Sequence, residues 1–487
     1  MMYDVIVVGA GPGGSSAAAF AARKGLSTLL LDRADFPRDK VCGDGLTPQT
    51  IYWLDLLGCV DEVLDHTKSC IKRCDLYINR ELVLTGGFPP NTKYPDFCIL
   101  LDRRRFDHIL VNNAMASGAR FEPNCPVRGI VHQSDSVVVT VDSGNKQVDF
   151  RGRMVIGADG VSSVVSRSIG NVLRDGATAL SLRTYYRNVK YQGSQIKVYF
   201  DERFFPGYGW VFVDDEGFAN IGLGYAFDKT FPVIQNLKET FQAFLKDDLA
   251  DLLGEASQCG GVSGGAVAFY KPNRIVADRI MLIGDAANQA DPLNGGGIHK
   301  AMESAYWASE AARRAVSIGD CSVETLRWYQ EQWEKQFELD WRTAELFLSI
   351  AKNPNLKEFC LFVLKNIARL TMRDRQFQEF CSGVFSGVIS QSACLVPKAL
   401  FHALPRDPTA WGAILQLEER GMMGPLDLTV SAFNSMAKAS GRMALEPLQS
   451  FNWGLEVLTK GVQLLDGHLG GCTSGRASQH AETFSRN

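Results

Sequence analysis

Near the start of the chain, Gly9-Ala-Gly11-Pro-Gly13-Gly14 has the composition and spacing of a phosphate cradle. It follows the apolar residues 3–8 and precedes the alanine-rich residues 15–24, so the unit reads as strand, tight turn and helix. In such a unit the first glycine permits the turn and the second admits a pyrophosphate close to the backbone. The last lets helix and strand pack closely. Amides opening the helix at Gly13 and Gly14 point at the ligand, and the helix dipole favours its negative charge. A second strand, residues 27–31, ends at Asp32. That acid has roughly the spacing from the glycines at which a carboxylate grips an adenosine ribose. Together these features read as a dinucleotide site.

Other residues with chemical potential follow in three groups. Cys42 lies in Phe36-Pro-Arg-Asp-Lys40-Val-Cys42-Gly43-Asp44-Gly45, beside a lysine and two glycines. It is either an inert thiol or a pocket residue. Downstream, apolar runs end at Gly157-Ala-Asp159-Gly160 and at Gly284-Asp285. The second of these continues through Asp291-Pro292-Leu-Asn-Gly295-Gly296-Gly297 into Ile298. Ile298, Ala301, Met302 and Ala305 fall at helical spacing on one face. Arg103 stands ahead of Phe106-Asp107. Finally, Tyr208, Trp210 and Phe212 alternate with Gly209 and Val211, so on a strand the three aromatics share a face. That face is either a core strand or an apolar pocket wall, suited to a hydrocarbon chain.

Together and in this order, the glycine-centred segments resemble the FAD-binding domain of the p-hydroxybenzoate-hydroxylase-like flavoproteins over residues 1–345. Two segments narrow the likeness. Residues 37–43 look like the Pro-x-x-Lys-x-Cys-Gly segment of the geranylgeranyl reductase family. Residues 208–213, with Gly222-Leu-Gly224 behind them, are similar to that family's Tyr-x-Trp-x-Phe-Pro and Gly-x-Gly motifs. Val213 stands where the family usually has proline, a departure that bears on substrate rather than cofactor. The resemblance implies that Asp285 bonds the ribityl chain, that Arg103 lies near the FAD phosphates, and that Asp159 and Gly160 border the pyrophosphate groove. It places Pro292, Gly295, Gly296, Gly297 and Ile298 at the pyrimidine edge, where a helix start steadies the anionic reduced flavin. Gly9, Gly11, Gly13, Gly14, Asp32, Arg33, Lys40, Cys42, Gly43, Val127 and Gly284 complete the cofactor-contacting set. Cys42 is implied beside the isoalloxazine ring, as a contact or proton donor. With Tyr208 and Trp210 it forms the candidate catalytic set. Tyr208, Trp210 and Phe212 form the candidate substrate pocket.

The elements that must position these residues define the expected architecture. The fold class is α/β: a Rossmann-like FAD-binding domain interrupted by a mainly antiparallel β-sheet substrate domain, plus a C-terminal helical region. Residues 1–72, 97–175 and 272–345 are assigned to the flavin domain, and 73–96 with 176–271 to the substrate domain. Residues 346–466 form the helical region, with 231–253 also read as helical, and 467–487 are read as a flexible tail. The uncharged residues 382–397 are read as a core helix in preference to an interfacial one. Lys365, Arg369, Arg373 and Arg375 lie on a solvated or interfacial helix face.

Composition sets outer limits. The chain has 487 residues, 51 basic against 54 acidic, so nothing in its net charge of −3 suits nucleic acid. Its 12 cysteines are too sparse for a disulfide scaffold, and their spacing indicates no metal site. No apolar run approaches the ~20 residues of a membrane span. The expected location is cytoplasmic, with a peripheral position at a membrane surface left open. The leading reading is an FAD-dependent oxidoreductase that reduces carbon–carbon double bonds of a prenyl or other apolar chain. FAD would be tightly bound, and NADPH or ferredoxin would be a transient electron donor. The expected partner is an apolar, isoprenoid or lipid-like small molecule, and the oligomeric state is left open. A flavin monooxygenase, whether hydroxylase or halogenase, and a non-catalytic flavin-binding protein are the alternatives.

Overall fold

Val5–Val8, Leu29–Leu31 and Met154–Ile156 are continuous apolar runs, which suits strands buried on both faces of a parallel sheet. In the computed structural model, which describes residues 1–144, 146–172, 178–191, 193–232, 236–395, 443 and 447–472, they form the centre of an eight-stranded sheet. Met2–Val8 lies between Thr28–Leu31 and the long strand Lys146–Gly157, parallel to both. Arg120–Glu122 extends one side and Ile280–Leu282 the other. The first half of Lys146–Gly157 pairs instead with the antiparallel hairpin Val127–His132 and Val137–Ser143. Helices Pro12–Arg23 and Ile298–Ile318 pack together against this sheet, with Arg103–Ala116 beside the first. Small residues make that approach close: a side chain on Gly13 would begin 3.1 Å from the Ala301 methyl.

A second, seven-stranded sheet runs in the order Ser257–Ala268, Thr178–Arg187, Ala219–Phe227, Gly209–Val213, Gln195–Phe200, Arg73–Ile78, Glu81–Gly87. All its pairs are antiparallel except Gln195–Phe200 with Arg73–Ile78. Gly222 is needed there because Trp210 lies flat across it. A Cβ at Gly222 would sit 2.0 Å from the indole.

The helices after Ile298–Ile318 pass from the first sheet, where Val323–Trp333 packs, to the second. Val323–Trp333, a π-helical turn Glu334–Glu338 and Leu339–Ala351 follow one another without a break. Lys357–Thr371 and Arg375–Ser386 pack on Glu81–Gly87, and Pro447–Cys472 packs on Leu339–Ala351. No described helix is long and apolar enough to cross a membrane.

Several sequence expectations change here. Residues 382–397 do not form one helix: the helix ends at Ser386, because Gly387 takes φ +73° and closes it. The helix that begins at Pro447 runs to Cys472, six residues into the segment expected to be a tail, while residues 473–487 lie outside the described residues. Within 231–253 the helix starts only at Leu237, capped by the Asn236 side chain. The solvated face keeps Arg373 and Arg375 exposed, while Lys365 and Arg369 on it pair with the exposed Glu81 of the second sheet, Lys365 at 2.5 Å and Arg369 at 3.4 Å.

One buried ion cluster fastens the last helix to the second sheet. The Lys352 ammonium, nearly inaccessible to solvent, bonds Asp228 at the end of Ala219–Phe227 and lies 3.3 Å from Glu456. Lys460 bridges Glu456 and Glu345 at 2.8 and 3.1 Å. Removing one partner of such a cluster strands the others without compensation. Lys352→Met is therefore expected to lower stability by about 3–5 kcal/mol, read as a reduced urea midpoint. An unchanged midpoint would mean that the cluster contributes nothing to the hold.

Candidate active site

The first glycine turn is shaped by close approach. Gly9 has φ +100°, and a Cβ there would lie 2.4 Å from the Ala158 carbonyl oxygen. A Cβ on Gly14 would lie 1.7 Å from the Gly9 carbonyl oxygen. At Gly11 the situation reverses: the only nearby heavy atom is a guanidinium nitrogen of Arg38, 3.8 Å away. The turn is thus tight behind and open in front. The helix it opens has no side-chain cap, so its first amides remain available to an anion. Asp32 accepts hydrogen bonds from the Ala10 and Ala34 amides at 2.7 and 2.9 Å, pinning the turn to the second strand. Arg38 bonds the fully buried Asp107 at 3.0 Å and holds a cation beside the turn.

A second uncapped helix start faces the same space. Ile298–Ile318 begins after Gly297 without a side-chain cap. The turn before it is tied on two sides: Asp291 accepts from Lys300 at 2.8 Å and from Gln391 of the helical region at 2.9 Å. Burial acts upward on the Asp291 pKa, but the Lys300 charge and these bonds hold it below the usual carboxylate range. Burial and the adjacent Lys300 depress His299 to about 3, so it is neutral. Asp285 lies against Gly297, its oxygen 3.7 Å from where a Cβ there would be. Burial pushes its carboxyl up, against the charges of Lys40 and Arg103. Among the described residues the Asp285 side chain makes no hydrogen bond, which leaves its oxygens for polyol hydroxyls. Two open helix starts, a cation and an uncommitted carboxylate along one groove fit a dinucleotide with a polyol chain.

The loop after Asp32 joins this groove to the second sheet. The Cys42 thiol contacts Arg103, whose guanidinium grips Asp107 through two bonds of 2.6 and 2.8 Å. Burial raises the Cys42 pKa, with Arg103 acting against it, so the thiol is neutral. Gly43 faces the wall aromatics: a Cβ there would lie 2.9 Å from the Phe212 ring and 3.5 Å from the Trp210 indole nitrogen. Tyr208 stands 6.2 Å from Trp210, edge to face, and its hydroxyl donates to the Asn294 carbonyl at 2.6 Å. Trp210 donates to Asn220 at 2.9 Å. The polar atoms of Tyr208 and Trp210 are thus already spent, and what these residues offer the groove is shape and an apolar surface.

The remaining expected site residues are placed as follows. Gly284 has φ +59° and starts the short turn that carries Asp285. The Asp159 side chain accepts from Ser163 and from the Val164 amide, capping a short helix, while its backbone packs behind Gly9. Gly160 has φ +79° in the same turn. Arg103 lies under Cys42 and toward Asp285, whereas the cation beside the phosphate turn is Arg38. Arg33 and Lys40 are exposed on the loop. Val127 follows the segment whose Cys125 amide donates to the Asp32 carbonyl. Pro292, Gly295 and Gly296 form the turn before Ile298. Residues that sequence reasoning missed include Asp44, Tyr185, Asn220, Asn294 and Gln391. The last two tie the helical region to the groove, since Asn294 donates to the Phe385 carbonyl at 2.7 Å.

The chain is similar to known flavoproteins and reductases. Residues 2–332 match the family described as FAD binding domain. Digeranylgeranylglycerophospholipid reductase 2 of Methanopyrus kandleri is 33% identical over 69% of this chain and 83% of its own. Digeranylgeranylglycerophospholipid reductase of Methanothrix thermoacetophila is 28% identical over 82% of this chain and 98% of its own. Among solved structures, a geranylgeranyl bacteriochlorophyll reductase-like protein from Thermoplasma acidophilum superposes with TM-score 0.65 at 25% identity, covering 86% of this chain and 99% of that one.

Two substitutions probe the groove. Gly14→Ala is expected to lose bound FAD and to cost about 1–3 kcal/mol or more of stability through overpacking. Asp285→Ala should leave the unfolding midpoint near wild type yet weaken FAD about 10- to 100-fold, measured by fluorescence titration. Unchanged FAD affinity in Asp285→Ala would remove that residue from the cofactor contacts.

Proposed function

This chain belongs to the geranylgeranyl reductase family of FAD-binding oxidoreductases, and we propose on that premise that it reduces carbon–carbon double bonds in the chains of a prenyl lipid. The observation that carries the reading is the loop Cys42–Gly45, which lies between the dinucleotide groove and the aromatic wall. A cofactor ring at the end of that groove would face hydrocarbon rather than water. Bound FAD, once reduced, supplies the hydride.

The protein's part is to bind, orient and exclude. The open amides after Gly11 and the Arg38 guanidinium would hold the pyrophosphate, and Asp285 the polyol chain. The uncapped start of Ile298–Ile318 favours negative charge next to it. Tyr208, Trp210 and Phe212 would align the alkene and keep water out. Asn294 and Gln391 lock the helical region onto the same groove, so that region would close the pocket. The sequence carries one dinucleotide fingerprint, which favours an external electron donor, NADPH or ferredoxin, that visits and leaves. The reductase names of the relatives favour alkene reduction over oxygen insertion.

A lipid substrate also implies a surface from which to take it. On Pro447–Cys472, Phe451, Leu455, Leu458 and Val462 are 67%, 53%, 64% and 49% exposed at helical spacing. We infer that this stripe rests on a membrane. Phe451→Glu with Leu458→Glu is expected to abolish co-sedimentation with phospholipid vesicles, and unchanged binding would contradict the inference.

The reaction itself is tested without oxygen. The purified holoprotein is reduced anaerobically and given prenyl lipids, from free geranylgeraniol to a digeranylgeranylglycerophospholipid. Reoxidation of the flavin with a product heavier by two hydrogens per bond is the expected result. Reoxidation only when oxygen is admitted, with an oxygenated product, would overturn the reading.

A further inference from the structure

Adding a hydride to an alkene leaves half the reaction undone, because a proton must arrive at the other carbon. Among the described residues near Cys42 and the wall, most groups are unfit to give one. Arg103 is a cation whose buried pair with Asp107 makes it hold its proton more tightly. Tyr208 donates to Asn294, and Trp210 donates to Asn220.

Asp44 differs. It is 4% exposed and sits in the left-handed region at φ +63°, a conformation that costs a non-glycine residue energy. One carboxyl oxygen, Oδ2, accepts from the Tyr185 hydroxyl at 2.6 Å and from the Asn220 amide at 2.7 Å. The Asn220 orientation is fixed by its neighbours. An indole N–H only donates, so the Asn220 oxygen must face Trp210, and its NH₂ must face the Cys42 carbonyl and Asp44. The second oxygen of Asp44, Oδ1, is buried without a hydrogen-bond partner. A carboxylate would leave that charged oxygen unsolvated, whereas a carboxylic acid can place its proton there.

The geometry points to Asp44 as the proton reservoir of the site: its Oδ1 proton is the one added to the substrate alkene. The inference rests on the reductase reading. In the step, the Asp44 O–H bond breaks and a C–H bond forms at one alkene carbon. Hydride from the reduced cofactor forms the second C–H bond, the alkene π bond is lost, and the cofactor is oxidised. The Asp44 carboxylate left behind keeps its bonds from Tyr185 and Asn220 and regains a proton from solvent. Burial pushes the Asp44 pKa up to about 7, while the Tyr185 and Asn220 bonds and the charges of Arg183 and Arg103 pull it down. These are the groups that face it, together with the neutral Cys42 thiol. Arg183 stacks on Tyr185 at 4.1 Å and pairs with Asp39 at 2.9 Å.

The test compares wild type with Asp44→Asn and Tyr185→Phe, all as holoprotein reduced anaerobically and given a digeranylgeranylglycerophospholipid. The amide oxygen in Asp44→Asn can still accept from Tyr185 and Asn220, but its NH₂ releases no proton. Wild-type reoxidation should fall about tenfold per pH unit above pH ~7. Asp44→Asn should be slower by about 10²-fold or more at pH 6 and lack that inflection, with FAD binding and reduction unchanged. Tyr185→Phe removes a bond that lowers the Asp44 pKa, so its inflection should move to higher pH. Infrared difference spectra of the oxidised holoprotein between pH 6 and 8 give a readout independent of turnover. A carboxylic-acid C=O band should disappear on raising the pH in wild type and be missing in Asp44→Asn. If Asp44→Asn keeps the wild-type rate and profile, or the band is absent from wild type, the reservoir is overturned and the reductase reading stands. If the lipid does not reoxidise the wild-type flavin without oxygen, both fall.

Discussion

The site depends on a packing constraint at the first turn. Gly14 and the Gly9 carbonyl are so close that no side chain fits between them. That contact draws the helix Pro12–Arg23 onto the strand Met2–Val8 and aims its opening amides into the groove. Asp32 then holds the turn from the second strand through the Ala10 amide. Because Gly9 also abuts Ala158 and Asp159, the same constraint fixes the end of Lys146–Gly157, next to which the strand leading to Asp285 is laid. Groove, Asp285 and second helix start inherit their positions from one tight turn.

A second dependence runs through the Cys42–Gly45 loop. It meets Arg103 on the groove side and the Trp210 and Phe212 rings on the other. Its Asp44 is bonded to two strands of the second sheet. The network from Trp210 through Asn220 to Asp44 and Tyr185 makes the wall and the loop one rigid piece. From behind, Asn294 and Gln391 anchor the helical region to the turn ahead of Ile298. In the proposed reading the pyrophosphate would lie at the open glycine turn and the ring against the aromatic wall, the arrangement that hydride chemistry on an apolar chain requires.

Much of this was legible in the sequence because it is local. A glycine turn between strand and helix, an acid ending the next strand, and aromatics alternating along one strand carry their geometry in their spacing. Asp44 was not legible, although it lies two residues from Cys42. Its environment is made by Tyr185 and Asn220, 141 and 176 residues further on, which no local pattern brings together. Arg38 and Arg103 illustrate the same limit. Both lie in recognisable segments, but Asp107 decides where each guanidinium goes, and the one beside the phosphate turn is Arg38. The purpose of the helical region was hidden for a related reason: its ties to the groove, the Asn294 amide on the Phe385 carbonyl and the Gln391 amide on Asp291, join residues far apart in the chain and carry no motif.

The most direct test of the central claim, that one groove presents a dinucleotide's reactive ring to an apolar wall, is a crystal structure of the protein with FAD. The account predicts the pyrophosphate on the amides after Gly11 beside Arg38, and the ribityl chain on Asp285. It also predicts the isoalloxazine ring between the Cys42–Gly45 loop and the turn before Ile298. A ring turned away from Tyr208, Trp210 and Phe212 into solvent, or a pyrophosphate held elsewhere, would contradict it.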